Sequence, residues 1–277
     1  MEKKINRFFV VSLILGVLFG VAAYLVRDYP HASEAGGEYF FPKLEYIDID
    51  LQRLGVELIP CDGDEIIVEY KNDRPLLMEV GDNTLTVTES SDFVVSLFAG
   101  KRSEFGVKIY LPDKIYREIT VYTATGAINV YGIDCLKLSA VTESGDINIE
   151  KMDYLASLVT TSGNIRADIT DVINDTDILN RSGDIELYIP PNSSVAIDFK
   201  TENGECITDM ISGQIYGDFL YAFNGGKRQI SVTAAHGTLV FREGERVEQS
   251  DEPVREEPPE QPEEPENSEN QDRPALW

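Results

Sequence analysis

One short phrase returns five times between Arg117 and Thr208, and it limits what the chain can fold into more tightly than any other feature. It reads Thr125-Gly126-Ala127-Ile128-Asn129-Val130, then Ser144-Gly145-Asp146-Ile147-Asn148-Ile149, Ser162-Gly163-Asn164-Ile165-Arg166-Ala167 and Ser182-Gly183-Asp184-Ile185-Glu186-Leu187. A worn fifth copy follows at Asn203-Gly204-Glu205-Cys206-Ile207-Thr208. The glycines Gly126, Gly145, Gly163, Gly183 and Gly204 stand 19, 18, 20 and 21 residues apart. A near-constant period of that size marks stacked supersecondary units.

His236-Gly237-Thr238-Leu239-Val240-Phe241 aligns with these as a sixth copy. Two residues after each glycine come Ile128, Ile147, Ile165, Ile185, Cys206 and Leu239, and four after come residues such as Val130, Ile149 and Leu187. Five and seven before the glycine stand further apolar pairs, Val121 with Ile119 and Ala140 with Leu138 among them. A spacing of two puts such residues on one face of a strand. Each unit therefore reads as two short strands joined at a glycine turn. The glycine is expected to supply a positive φ, with Asp146, Asn164 and Asp184 as turn companions. No such unit can bury its apolar face alone, but stacked units can. The expected fold is all-β, a β-solenoid or β-strand-repeat domain with coils of about 20 residues.

Upstream, Ile47, Ile49 and Leu51, then Val56 and Leu58, then Val107, Ile109 and Leu111 alternate with polar residues, the pattern of half-buried strands. Pro60-Cys61-Asp62-Gly63-Asp64 and Gly81-Asp82-Asn83 read as turns between them. The repeat domain is set at residues 45–243.

Phe8 to Val26 is a run of 19 uncharged, mostly apolar residues. At about 1.5 Å of helical rise each, the run matches the hydrocarbon core of a bilayer. A cleaved signal peptide has a shorter apolar centre and a small-residue cleavage site, of which Ala22-Ala23 and Ala32-Ser33 are weak versions; residues 8–26 read as a transmembrane helix, with a cleaved signal as the alternative. Lys3, Lys4 and Arg7 in the stub at residues 1–7 outweigh Arg27 beyond the span, which puts the N-terminus inside and the bulk of the chain outside. Gly16 and Gly20 form a GxxxG that clears one face for a second helix, though glycine is also common in membrane helices that pair with nothing. Residues 27–44 read as a stalk.

Residues 244–277 hold twelve acids, three arginines and six prolines, with almost nothing apolar before Ala275-Leu276-Trp277. Such a segment reads as a disordered acidic tail rich in Pro and Glu. The whole chain carries 49 acidic against 24 basic residues. That excludes nucleic acid as a main partner, because phosphate backbones need clustered Lys and Arg. Cys61, Cys135 and Cys206 are too few for a disulfide framework, although a Cys61–Cys135 bridge is conceivable. With two histidines and no CxxC spacing, no zinc site is expected, and no cofactor is called for.

Two stretches break the rhythm. Ser90 to Glu104, with Phe93 to Phe98, reads as a cap over a solenoid end. Ile211 to Gly226 carries Tyr216, Phe219, Tyr221 and Phe223, for which cap and binding loop both stand open.

The repeated Ser-Gly-Asp-Ile-x-Ile phrase, the strand ending in Leu111-Pro112, Tyr188-Ile189-Pro190 after the fourth copy and Gly225-Gly226-Lys227 before the last strand pair together resemble the bacterial family described as putative adhesins. The resemblance covers about residues 45–242. It implies a membrane-attached extracytoplasmic β-repeat module without assigned catalytic residues. Acidic pairs are too frequent here to single out a glycosidase site, and the column Asp146, Asn164, Asp184, Glu205 reads as turn chemistry rather than a Ca²⁺ ladder. The expected function is a membrane-anchored, extracytoplasmic, adhesin-like binding or scaffold protein of the bacterial envelope, not an enzyme, with a protein or cell-wall partner. The alternatives are a sensor or regulatory subunit acting through a membrane partner and, behind it, a carbohydrate-active β-helix enzyme.

Overall fold

The computed structural model describes residues 31–32, 37–71, 76–89, 106–155, 157–191, 193–209 and 214–244. The expected span with Gly16 and Gly20, the insertion at residues 90–104 and the tail past Gly244 lie outside them. Among the described residues no helix is long and apolar enough to cross a membrane.

All the regular elements described are strands. They run β1 (His31–Ala32), β2 (Gly37–Phe41), β3 (Tyr46–Leu51), β4 (Val56–Cys61), β5 (Ile66–Tyr70), β6 (Leu76–Gly81), β7 (Thr84–Glu89) and β8 (Val107–Pro112). The repeats follow as β9 (Glu118–Thr123), β10 (Ile128–Tyr131), β11 (Leu138–Thr142), β12 (Ile147–Met152), β13 (Ser157–Thr160), β14 (Ile165–Ile169), β15 (Thr176–Ser182) and β16 (Ile185–Ile189). Last come β17 (Val195–Thr208), β18 (Gln214–Tyr216), β19 (Phe219–Phe223) and β20 (Arg228–Glu243). The segment read as a stalk thus supplies β1 and β2, which add antiparallel to β6 and β5.

Each coil has two arms. First arms pair in parallel in the order β7, β3, β9, β11, β13, β15, and second arms in the order β8, β4, β10, β12, β14, β16. Both β20 and β17 run through the corner and form both arms of a coil. The apolar columns read from the sequence are in register: Ile128 faces Ile147, which faces Ile165, which faces Ile185, which faces Leu239, which faces Cys206. All six are buried, as are Ile119, Val121, Leu138 and Ala140 of the first arms. At roughly 1.5–3 kcal/mol per fully buried aliphatic side chain, these ladders supply the main drive for stacking.

The order of coils departs from the order of the chain at both ends. The β3–β4 coil lies between β7–β8 and β9–β10, and the β20 coil lies between β15–β16 and β17. Antiparallel strands flank the stack, with β6 and β5 on the first coil and β19 and β18 on the last. The β6–β7 hairpin turns through Asp82 and Asn83, both at positive φ, as a two-residue turn of matching twist requires.

The glycine corners work differently from the expectation. Gly183 (φ 140°) and Gly237 (φ 124°) take positive φ, but Gly126 and Gly145 do not. What the column shares is closeness: a Cβ on Gly145 would lie 2.1 Å from the Gly126 carbonyl oxygen, and one on Gly183 would lie 2.0 Å from that of Gly163. Each coil rests on the corner carbonyl of its neighbour, and no side chain fits between.

Candidate functional site

The corner phrase holds neighbouring coils together through one side-chain oxygen of each Asp or Asn. Its Asp and Asn residues, expected to hydrogen-bond their own turn, instead reach one coil onward. Asp146 Oδ1 accepts from the Asn164 amide at 2.7 Å, Asn164 Oδ1 from the Asp184 amide at 3.0 Å, and Asp184 Oδ1 from the Thr238 amide at 2.9 Å. Asn164 separates the two carboxylates, so no like-charged pair stands at one-coil spacing. Inside the corner runs a second polar row, which sequence reasoning missed. Thr142 and Thr160 hydroxyls donate to the carbonyls of Gly126 and Gly145, and Asn180 Nδ2 donates to that of Gly163. The signal was present as Thr123, Thr142, Thr160 and Asn180, each three residues before a glycine. Buried polar groups of this kind are tolerated because each finds a partner.

The outward positions of the second arms carry Asn129, Asn148, Arg166 and Glu186 in register. Together with the Asp146, Asn164 and Asp184 row they border an open groove of about 570 Å³ across β10, β12, β14 and β16, reaching Val240 on β20. Inside it Arg166 Nε donates to Glu186 Oε2 at 2.7 Å, and the Tyr188 hydroxyl donates to Glu186 Oε1 at 2.7 Å. Burial alone would raise the Glu186 carboxyl, but the hydrogen bonds from Tyr188 and Arg166 together hold it below the usual carboxylate range. Asn148 Nδ2 donates to Glu150 at 3.1 Å. The groove is thus lined by amides, carboxylates and one guanidinium, over the backbone of strands whose isoleucine side chains are turned into the core.

The four aromatics proposed as a binding loop are divided by the structure. Phe219 stacks on Phe199 with ring centroids 5.5 Å apart, and Phe223 is buried on Phe241 at 5.6 Å, so both close the last coil. Tyr216 and Tyr221 point outward, joined by Leu220 at 70 % exposure. This end of the stack is a cap with an apolar outer rim.

The cysteines take structural positions. All three are free, so the conceivable Cys61–Cys135 bridge is absent. Burial pushes the thiols of Cys135 and Cys206 up to about 12 and about 11, which keeps them protonated and inert. Among the described residues no group of three or more His, Cys, Asp or Glu is arranged to hold a metal ion.

The model of one protein family matches residues 44–153 and again residues 116–240, together spanning the stack from β3 to most of β20. The chain belongs to the Toastrack DUF4097 family. The two overlapping matches share β9 to β12 of this Toastrack domain. Solved structures that resemble it include a "putative cell adhesion protein" from Clostridium sporogenes, 17% identical, covering 76% of this chain and 100% of that one with a TM-score of 0.44. Another is a "putative adhesin" from Bacteroides fragilis, 12% identical, covering 78% and 99% with a TM-score of 0.35. No curated protein matches the chain. Family membership of the Toastrack domain rests on the family match alone.

Proposed function

We propose that this chain is a membrane-anchored, extracytoplasmic binding and scaffold protein of the bacterial envelope, adhesin-like and without catalytic activity. The observation that carries the reading is the division of labour in the repeat. The polar atoms of the phrase staple coil to coil, while the outward face of the same coils presents an open polar groove. A stacked sheet that holds side chains at fixed spacing is suited to display rather than to turnover, which needs a positioned acid, base or nucleophile. The apolar run at residues 8–26 and the flanking charges supply the anchor and its orientation.

The test is crosslinking of the full-length protein in intact cells, with protease added from outside. The reading expects the repeat domain to be cleaved from outside and to be recovered joined to a distinct protein or to wall material. A repeat domain shielded from protease, or recovered alone at every crosslinker length, would remove it. Gly16 and Gly20 favour a second reading, a regulatory subunit paired through the membrane helix. On that reading Gly16→Ile with Gly20→Ile abolishes association with the membrane partner. On the scaffold reading it changes nothing at the groove.

A further inference from the structure

We propose that the groove across β10, β12, β14 and β16 binds an uncharged polyhydroxyl chain, a neutral glycan, laid parallel to the axis of the stack. The inference rests on the binding reading above and names the ligand class of that same surface.

Half of the polar atoms bordering the groove are still free to bond. Asp146, Asn164 and Asp184 each hold the neighbouring coil with Oδ1 only. Their second heteroatoms, a carboxylate oxygen, an amide NH₂ and a carboxylate oxygen, follow one another at coil spacing, about 4.8 Å for neighbouring strands. Beside this row runs the second. Asn129 makes no side-chain hydrogen bond among the described residues, and Arg166 uses Nε on Glu186, leaving its terminal nitrogens free. Acceptors and donors therefore alternate from coil to coil along the groove.

That alternation discriminates between ligand classes. A polyanion meets Asp146, Asp184 and Glu186 against one guanidinium that is already paired, and like charge at this range is unfavourable. A polycation is drawn by the carboxylates but meets the Arg166 guanidinium as like charge and offers no acceptor to the Asn164 amide. A peptide adding as an extra strand needs a free sheet edge. Here β12, β14 and β16 are paired on both sides, so only side chains are offered. A hydroxyl both donates and accepts, and a chain of hydroxyls meets both rows at once.

The test titrates four linear hexasaccharides, cello-, laminari-, malto- and chitohexaose, into the full-length protein in detergent, with hexagalacturonate and hexalysine as charged competitors. Two variants are compared with the native chain, each checked for unchanged thermal unfolding. Asn129→Leu removes a free amide that holds nothing in the fold. Asn164→Asp keeps the oxygen that caps the Asp184 amide but turns the free donor into an acceptor. The expected result is saturable binding of at least one neutral hexasaccharide, weakened about tenfold or more by each variant and not displaced by either charged hexamer. The proposal is overturned if no neutral hexasaccharide binds, if both variants bind as the native chain does, or if a charged hexamer binds in preference. Crosslinking to a cell-surface partner that survives both variants would keep the scaffold reading while removing this ligand assignment.

Discussion

At Gly145 the limit on substitution is set by a neighbouring coil rather than by the residue's own φ. A methyl group there would stand 2.1 Å from the Gly126 carbonyl oxygen and 2.9 Å from Thr142 Oγ1. Relief requires the two coils to part, which breaks the Thr142 bond to that same carbonyl. Gly145→Ala is therefore expected to cost about 3 kcal/mol or more, the upper range for overpacking a close-packed site. Urea unfolding measures it, and a loss below about 1 kcal/mol would mean that the corner yields. The opposite case lies at the far end of β12. Gly132 and Lys151 occupy the same place in successive coils, one residue past the paired Tyr131 and Glu150, with φ of 53° and 54°. Lysine carries a left-handed cost of about 1–2 kcal/mol that glycine does not, partly offset by glycine's freer unfolded chain. Lys151→Gly should stabilise by roughly 0.5–1 kcal/mol in the same assay.

On single strands the outward faces differ in charge logic, and pH separates them. On β3, partial desolvation together with the charges of Asp50 and Glu118 holds the Asp48 carboxyl above its usual range. A carboxyl raised on folding favours the fold at low pH and costs stability as pH rises through its folded value. Asp48→Asn should therefore raise the thermal midpoint at pH 7, with the gain vanishing near pH 3. On β16, Glu186 is held low by Tyr188 and Arg166 despite burial, so its contribution is present at neutral pH and fades as pH falls through the folded value. Glu186→Gln should lower the midpoint at pH 7 and approach the native chain in acid. Midpoints of the two variants that moved in the same direction at pH 7 would contradict this assignment. These strands were legible in advance because inward columns repeat every second residue, so Ile128, Ile147, Ile165 and Ile185 announce their own register. The outward ladder Asn129, Asn148, Arg166 and Glu186 occupies the alternate positions of the same count. The inter-coil reach of Asp146 and Asn164 was not legible, because an Asx residue beside glycine has the same sequence signature whether it caps its own turn or the coil beyond it.

For the molecule as a whole, the sequence pattern leaves one thing undetermined, and the physical reason is the repeat itself. Every coil offers the same apolar columns, so a strand pair that fits one slot fits any other, and hydrophobic pattern alone does not assign neighbours. Only the structure shows β20 entering between β15–β16 and β17, and β3–β4 entering between β7–β8 and β9–β10. This placement changes how the stack responds to loss of an end. In a simple solenoid each unit contacts its sequence neighbours, and removing the last unit leaves the others folded. Here the last strand of the stack in sequence is the second-to-last in space. A chain ending at Gly226 lacks β20, and β17 with its cap strands β18 and β19 then loses the partner that joins it to β15 and β16. Slow hydrogen exchange should vanish from residues 195–208 and 219–223 as well, while residues 118–169 keep their protection, since their pairings lie wholly among β9 to β16 and the N-terminal coils. The competing outcome is that β17 drops one level and docks directly on β15 and β16. Its Phe199 would then face Ile178 in place of Val232, and its Cys206 would face Ile185 in place of Leu239. Retained protection across residues 195–208 in the shortened chain would establish that slippage, and with it that the coil order is set by chain connectivity rather than by the fit of one coil to the next.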